Sequence, residues 1–220
     1  MDSIPIILLC FIPLLFLAAF VGHEGKKYII YVLWGFIASI LSFGLYWGIT
    51  GTLPDPSHPT LFVSPVIEEF LKALPIMILA VIGIRNSNRD LLVCAMAIGI
   101  GFSVIETVLY SITQNLTFIP GDIMVVLARS FSTSLMHGCT TAIIGYGVVL
   151  IRNVDRGALP ALLFGFYTLA VTTHAIYNLL WDSYSGAGGA VVDLIFPMAL
   201  FFLLLICYRV DVPVIFRARE

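Results

Sequence analysis

Glu68 and Glu69 stand side by side in PVIEEFLKALPIMILAVIGI, with Lys72 three and four positions further on, in a stretch otherwise apolar enough to cross a bilayer. On insertion scales each ionised group costs roughly 3 kcal/mol at the bilayer centre, so a chain that keeps three together shelters them in a polar cavity or uses them. Helical spacing places Lys72 one turn from both carboxylates. Paired with one, it would hold that carboxylate ionised and leave the other, rotated by about 100°, available as a base. The plainer alternative is a set of first-turn acids favoured by the helix dipole, with Lys72 as structural counter-ion.

Three further apolar stretches carry one candidate each. In AIGIGFSVIETVLY, Glu106 has Phe102 one turn before it and Tyr110 one turn after it on the same face. An isolated glutamate at such depth takes its neutral form, because desolvation penalises the charge; it serves either as a structural hydrogen-bonding acid or, level with Glu68 and Glu69, as a functional one. Arg129, Thr133, His137 and Thr141 follow at four-residue spacing, and the imidazole of His137 could bind a metal, carry a proton or donate to an oxyanion. In VTTHAIYNLLWD, His174 and Asn178 share a face one turn apart. Two such donors suit a developing negative oxygen, a role worth about 3 kcal/mol per donor, or simply join helices. Together the set could hydrolyse a peptide bond: a carboxylate takes a proton from water, water attacks the carbonyl, donors hold the oxyanion, and an acid protonates the departing amine.

The elements that must position these groups follow from composition. Of 220 residues, 60% are hydrophobic and 11% charged, against about 25% charged in soluble domains, which predicts an all-α integral membrane protein. The net charge of −2 offers no basic face for nucleic acid. Four cysteines lie singly in apolar stretches without a CxxC pair and read as small buried hydrophobes. Runs of about 20 residues predict a bundle of seven transmembrane helices at roughly 4–21, 28–49, 64–84, 90–113, 128–151, 158–181 and 190–208. The first lacks the basic start and small-residue cleavage pattern of a signal peptide and is expected to stay.

Outside the helices, Lys and Arg occupy every second connection: Lys26 and Lys27, Arg85 and Arg89, Arg152 and Arg156, then Arg209, Arg217 and Arg219. The positive-inside rule makes those segments cytoplasmic, with the N-terminus out and the C-terminus in. Only Lys72 and Arg129 depart from the pattern. Ser64 and Pro65 look like an N-cap and first helical residue, placing Glu68 and Glu69 one turn below the outer surface. Glu106 and His174 fall about two turns below theirs, and His137 similarly if Arg129 marks the surface. The polar sites then share one outer layer. The chain reads as a single transmembrane domain over 1–220, its catalytic core about 64–181, with small residues such as Ala95, Gly99, Ala97 and Gly101 allowing close helix packing.

EEFLK (Glu68, Glu69, Lys72), FSVIE (Phe102, Glu106), His137 and HAIYN (His174, Asn178), in that order on consecutive spans, resemble the motifs of the PrsW family of membrane proteases. That family is related to the type II CAAX prenyl endopeptidases and the Abi superfamily. The resemblance implies an intramembrane endopeptidase in a bacterial or archaeal plasma membrane, cutting a membrane-anchored protein near the extracytoplasmic surface, with an anti-sigma factor as the suspected substrate. It further implies Glu68 as base assisted by Glu106, His174 and Asn178 as oxyanion donors, and Glu69, Lys72, Phe102 and His137 in supporting places. Glu106 stands where prenyl endopeptidases have histidine, which argues against prenylated substrates. If zinc is bound, Glu69, Glu106, His137 and His174 are the candidate ligands; without an HExxH motif, a glutamate-activated water without metal fits equally. A proton-coupled transporter would also keep acids and histidines in the membrane, but clustering in one layer without an inverted repeat weighs against it. A non-catalytic Abi-type immunity or binding protein is the third class.

Overall fold

In a computed structural model, residues 3–51, 59–82, 87–151, 157, 159–183 and 187–217 are described. Among these the chain is helical, with no strand: α1 (Ser3–Leu9), α2 (Ile12–Val21), a 3-10 segment (Gly22–Tyr28), α3 (Ile29–Thr50), α4 (Pro59–Ile82), α5 (Asn88–Thr113), α6 (Pro120–Ile151), α7 (Leu159–Ser183) and α8 (Ala187–Arg217). Four stretches of the described residues are long and apolar enough to cross a membrane: Ile4–Thr50, Asn88–Thr113, Pro120–Leu150 and Leu159–Trp181. Four of the basic residues that set the expected orientation, Arg85, Arg152, Arg156 and Arg219, lie outside the described residues.

Three boundaries differ from those expected of the sequence, each for a local reason. The first predicted helix is broken at Cys10 and Phe11. Pro13 supplies no N–H, and its ring would meet the carbonyl of Leu9 in a continuous helix, so the chain restarts with proline in the first turn of α2. Gly22, at φ +56, ends α2 in a conformation that favours glycine. Phe11 then meets Phe36 edge to ring, centroids 6.4 Å apart.

In α4 the helix begins at Pro59, so Ser64 and Pro65 lie within it and do not cap it. Ser64, one turn before Glu68, instead directs its hydroxyl at the Glu68 carboxylate. Likewise α6 begins at Pro120, nine residues before Arg129. Arg129 is therefore an interior residue of the helix and not its outer marker.

The pair α5 and α6 forms the centre, with α3 and α4, α7 and α8 packed around it. Glycines set how closely the axes approach. A β-carbon at Gly101 would sit 2.4 Å from the carbonyl oxygen of Val32 on α3, and one at Gly99 only 2.1 Å from that of His137 on α6. Backbone meets backbone at the residue that must reach the polar cluster, a contact that only the absence of a side chain permits. The apolar core between Leu91, Ala95 and Ile98 of α5 and Val148 and Val149 of α6 extends this packing along the pair.

Candidate active site

The six ionisable residues singled out above meet where α4, α5, α6 and α7 converge. Lys72 is fully buried and places Nζ 2.6 Å from Oε1 of Glu69 and 2.7 Å from Nδ1 of His137. On its other side His137 presents Nε2 at 2.5 Å from Oε2 of Glu106, whose Oε1 accepts from Nη2 of Arg129 at 2.8 Å. Glu69 in turn lies 2.8 Å from Nδ1 of His174 and accepts from the hydroxyl of Thr140 at 3.0 Å. Nε2 of His174 stands 3.8 Å from Oε2 of Glu68.

These contacts fix the proton positions. An ammonium only donates, so Nδ1 of His137 accepts, which leaves the ring proton on Nε2 to be donated to Glu106. A carboxylate held by Lys72 and Thr140 only accepts, so Nδ1 of His174 carries its proton and donates to Glu69. The lone pair of His174 Nε2 is thereby turned toward Glu68. Cations and anions alternate from Arg129 through Glu106 and Lys72 to Glu69, with His137 between Glu106 and Lys72, and Glu68 stands as a second carboxylate beyond His174. Ion pairing of this kind is what makes the four charges of Arg129, Glu106, Lys72 and Glu69 tolerable in a buried place, although Oε2 of Glu69 and Nε of Arg129 have no hydrogen-bond partner.

Aromatic rings hold the network in position. Phe102 stands 5.0 Å from Lys72 Nζ and 5.0 Å from the His137 ring. The His137 and His174 rings meet at 88° with centroids 4.9 Å apart. Arg129 lies over the rings of Tyr110 and Trp181, at 4.2 and 4.9 Å, contacts worth about 0.5–2 kcal/mol each when desolvated. Helix α6 adds support through the hydroxyls of Thr133 and Thr141, which bond the carbonyls of Arg129 and His137.

One expectation changes in this light. Glu106 is not an isolated acid whose charge burial would suppress, since it faces a guanidinium and an imidazole N–H and its side chain is 32% exposed. Nε2 of His174 stands 3.8 Å from Glu68, beyond hydrogen-bond reach, while its Nδ1 side is taken by Glu69. Asn178 follows one turn later on α7 and is partly buried.

The metal-capable group also differs from the expected set. Glu68, His137 and His174 offer ligand atoms within 4.8 Å of one another. Oε1 of Glu69 is occupied by Lys72, Thr140 and His174 while its Oε2 has no hydrogen-bond partner, both oxygens of Glu106 are taken by Arg129 and His137, and Glu68 is the carboxylate that groups with the two imidazoles. Its Oε2 is buried without a hydrogen-bond partner. One carboxylate and two imidazoles form a donor set that catalytic zinc uses, and the Glu69 to His174 bond is the kind of support that orients a ligating imidazole. Glu68 and His174 are ready to ligate; His137 can join only by losing its Nε2 proton. The residues fit a divalent metal on that condition.

Arg129 as the partner of Glu106, Ser64 as the partner of Glu68 and Thr140 as a donor to Glu69 went unassigned in the sequence. The signal for Arg129 was present, as a cation breaking the alternation of charged and uncharged connections. Nothing in the sequence distinguishes Ser64 or Thr140 from their many hydroxyl neighbours.

A family model described as PrsW family intramembrane metalloprotease matches residues 25–207. Comparison with curated proteins and with solved structures gives no match.

Proposed function

Because the chain belongs to the PrsW family of intramembrane metalloproteases, we propose that it is a multi-pass membrane endopeptidase whose reacting centre lies among Glu68, His137, His174 and Glu106. The substrate in this reading is a membrane-anchored protein cut near the extracytoplasmic surface, for which an anti-sigma factor is the candidate. In this reading Ile4–Thr50 crosses twice, once through α1 and α2 and once through α3, and α4 and α8 join the other three apolar stretches as spans, giving seven with the C-terminus inside. The observation that carries the reading is the bare, buried Oε2 of Glu68 facing the lone pair of His174.

Glu68, His137 and His174 would hold a divalent metal, with zinc the candidate, and such an ion supplies Lewis-acid activation of water and of the scissile carbonyl. The chain's own residues do the rest. Glu69 accepts a hydrogen bond from Nδ1–H of His174 and so orients the ring with Nε2 toward Glu68. Lys72 neutralises Glu69 and steadies the His137 ring. Glu106, held by Arg129, sits at the His137 Nε2 proton and at the more open edge of the cluster, where it can take a proton from water and return it to the departing amine.

One observation favours a second, metal-free reading: His137 donates its Nε2 proton to Glu106 and offers no lone pair there. In that case Glu68 is the base acting directly on water. Metal analysis of the purified protein, with cleavage assayed after chelation and after zinc is restored, separates the two. One metal per chain, with activity lost and regained, supports the first; full activity in metal-free protein moves the role of base to Glu68.

A further inference from the structure

A cavity of about 660 Å³ lies between α2, α5, α6 and α8, away from the polar cluster. At about 100° per residue, its α6 lining of Phe131, Leu135 and Ala142 falls on roughly the opposite face of that helix from His137. The walls are almost wholly apolar, and the cavity carries two arginines, Arg89 and Arg209.

Both arginines stand at one end. Gly145 of α6 abuts Ala95 and Leu91 of α5, so the next residue, Tyr146, is close in level to Arg89. The hydroxyl of Tyr146 bonds the carbonyl of Cys207 on α8, two residues before Arg209. Both guanidinium-bearing residues are exposed, and no salt bridge among the described residues engages either. Asp90, next to Arg89, is taken by Lys27 and Tyr28.

The length of the cavity identifies its occupant. Its α8 wall runs from Leu194 to Arg209, fifteen steps of about 1.5 Å, or about 22 Å. One leaflet including headgroups is half of about 40–45 Å. An apolar channel one leaflet long with two exposed cations at one end, neither in a salt bridge among the described residues though Arg89 also lies within electrostatic reach of Glu24, matches a phospholipid with an anionic headgroup, its phosphate at the arginines and a chain against Met96, Ala142 and Met198. We propose that this cavity is a binding site for an anionic phospholipid. A substrate helix is the less suited occupant, since α6 separates the cavity from Glu68, Glu106 and His174, and the cationic end lies about nine residues of α6 from His137.

The test is native mass spectrometry of the full chain in detergent, titrated with phosphatidylglycerol, phosphatidylcholine and glycerol phosphate. Phosphatidylglycerol is expected to bind about tenfold tighter than phosphatidylcholine, and glycerol phosphate not at all. Arg89→Gln with Arg209→Gln should reduce phosphatidylglycerol to the level of phosphatidylcholine while cleavage activity persists. Ala142→Phe, which fills the channel, should weaken retention of both lipids. Equal binding of the two lipids by the wild type, or unchanged preference in the double variant, would overturn the proposal. So would Ala142→Phe abolishing substrate cleavage while lipid selectivity stays intact, which would give the cavity to the substrate. Loss of the proteolytic reading alone leaves the lipid measurements unaffected.

Discussion

Replacing Lys72 by methionine removes the cation on which the polar network turns while nearly keeping its volume. Lys72 is fully buried, and its ammonium serves Glu69 at 2.6 Å, His137 at 2.7 Å and the Phe102 ring at 5.0 Å. Methionine leaves Glu69 as a buried carboxylate with only Thr140 and His174 as donors. Removing one partner of such a pair costs about 3–5 kcal/mol, whereas removing both is close to neutral. The single variant should therefore lose about 3–5 kcal/mol, and the double variant Lys72→Met with Glu69→Gln should recover most of it, a coupling well above the error of additivity. Activity should follow a different course. Without the ammonium at Nδ1, the His137 proton can sit on either nitrogen, and without the carboxylate the tautomer of His174 is free, so the double variant stays inactive although refolded. Reversible unfolding by SDS in mixed micelles reads the first quantity and peptide cleavage in proteoliposomes the second. A loss under about 1 kcal/mol in Lys72→Met, or full cleavage by the double variant, would refute the network described.

Other outcomes follow from the same geometry. Gly99→Ala sets a β-carbon against the His137 carbonyl and should cost about 1–3 kcal/mol with reduced cleavage, while Gly44→Ala, with open space around it, should unfold within about 0.5 kcal/mol of wild type; thermal unfolding in detergent compares them. Glu106→Gln should lower the cleavage rate by at least about a hundredfold with near-normal yield and unfolding. Zinc added to metal-free protein should release a proton, because His137 must give up the one held by Glu106; titration calorimetry in buffers of different ionisation enthalpy measures it, and affinity should rise with pH. Arg129→Gln should weaken cleavage through Glu106 and leave the Glu69 to Lys72 pair intact.

Much of the cluster was legible because charge in an apolar segment has few explanations. Glu68, Glu69, Lys72, Glu106, His137 and His174 could each be picked out against their surroundings, and burial cost supplied the argument that they meet. The division of labour between the glutamates was half legible: helical spacing allowed Lys72 to take either, and only the packing of α6 and α7, bringing Thr140 and His174 to Glu69, left Glu68 without a cation partner beside the two imidazoles. Helix ends were read less well. Ser64 and Pro65 have the composition of an N-cap, but the helix continues to Pro59 and the serine serves Glu68. Arg129 has the look of an interfacial anchor, but Glu106, Tyr110 and Trp181 hold it in the interior. Those partners come from other helices, so no local pattern could announce them. The role of Gly99 was visible only as a small residue, and its partner, the backbone of His137, was not.

The central claim is that the open carboxylate of Glu68 and the lone pair of His174 share one hydrolytic pocket. Cleavage of a membrane-anchored reporter by wild type and by Glu68→Gln, reconstituted in equal amounts and shown to unfold alike, tests it directly. The account predicts turnover by the wild type and a loss of at least about a thousandfold in the variant. Undiminished turnover by Glu68→Gln would contradict it.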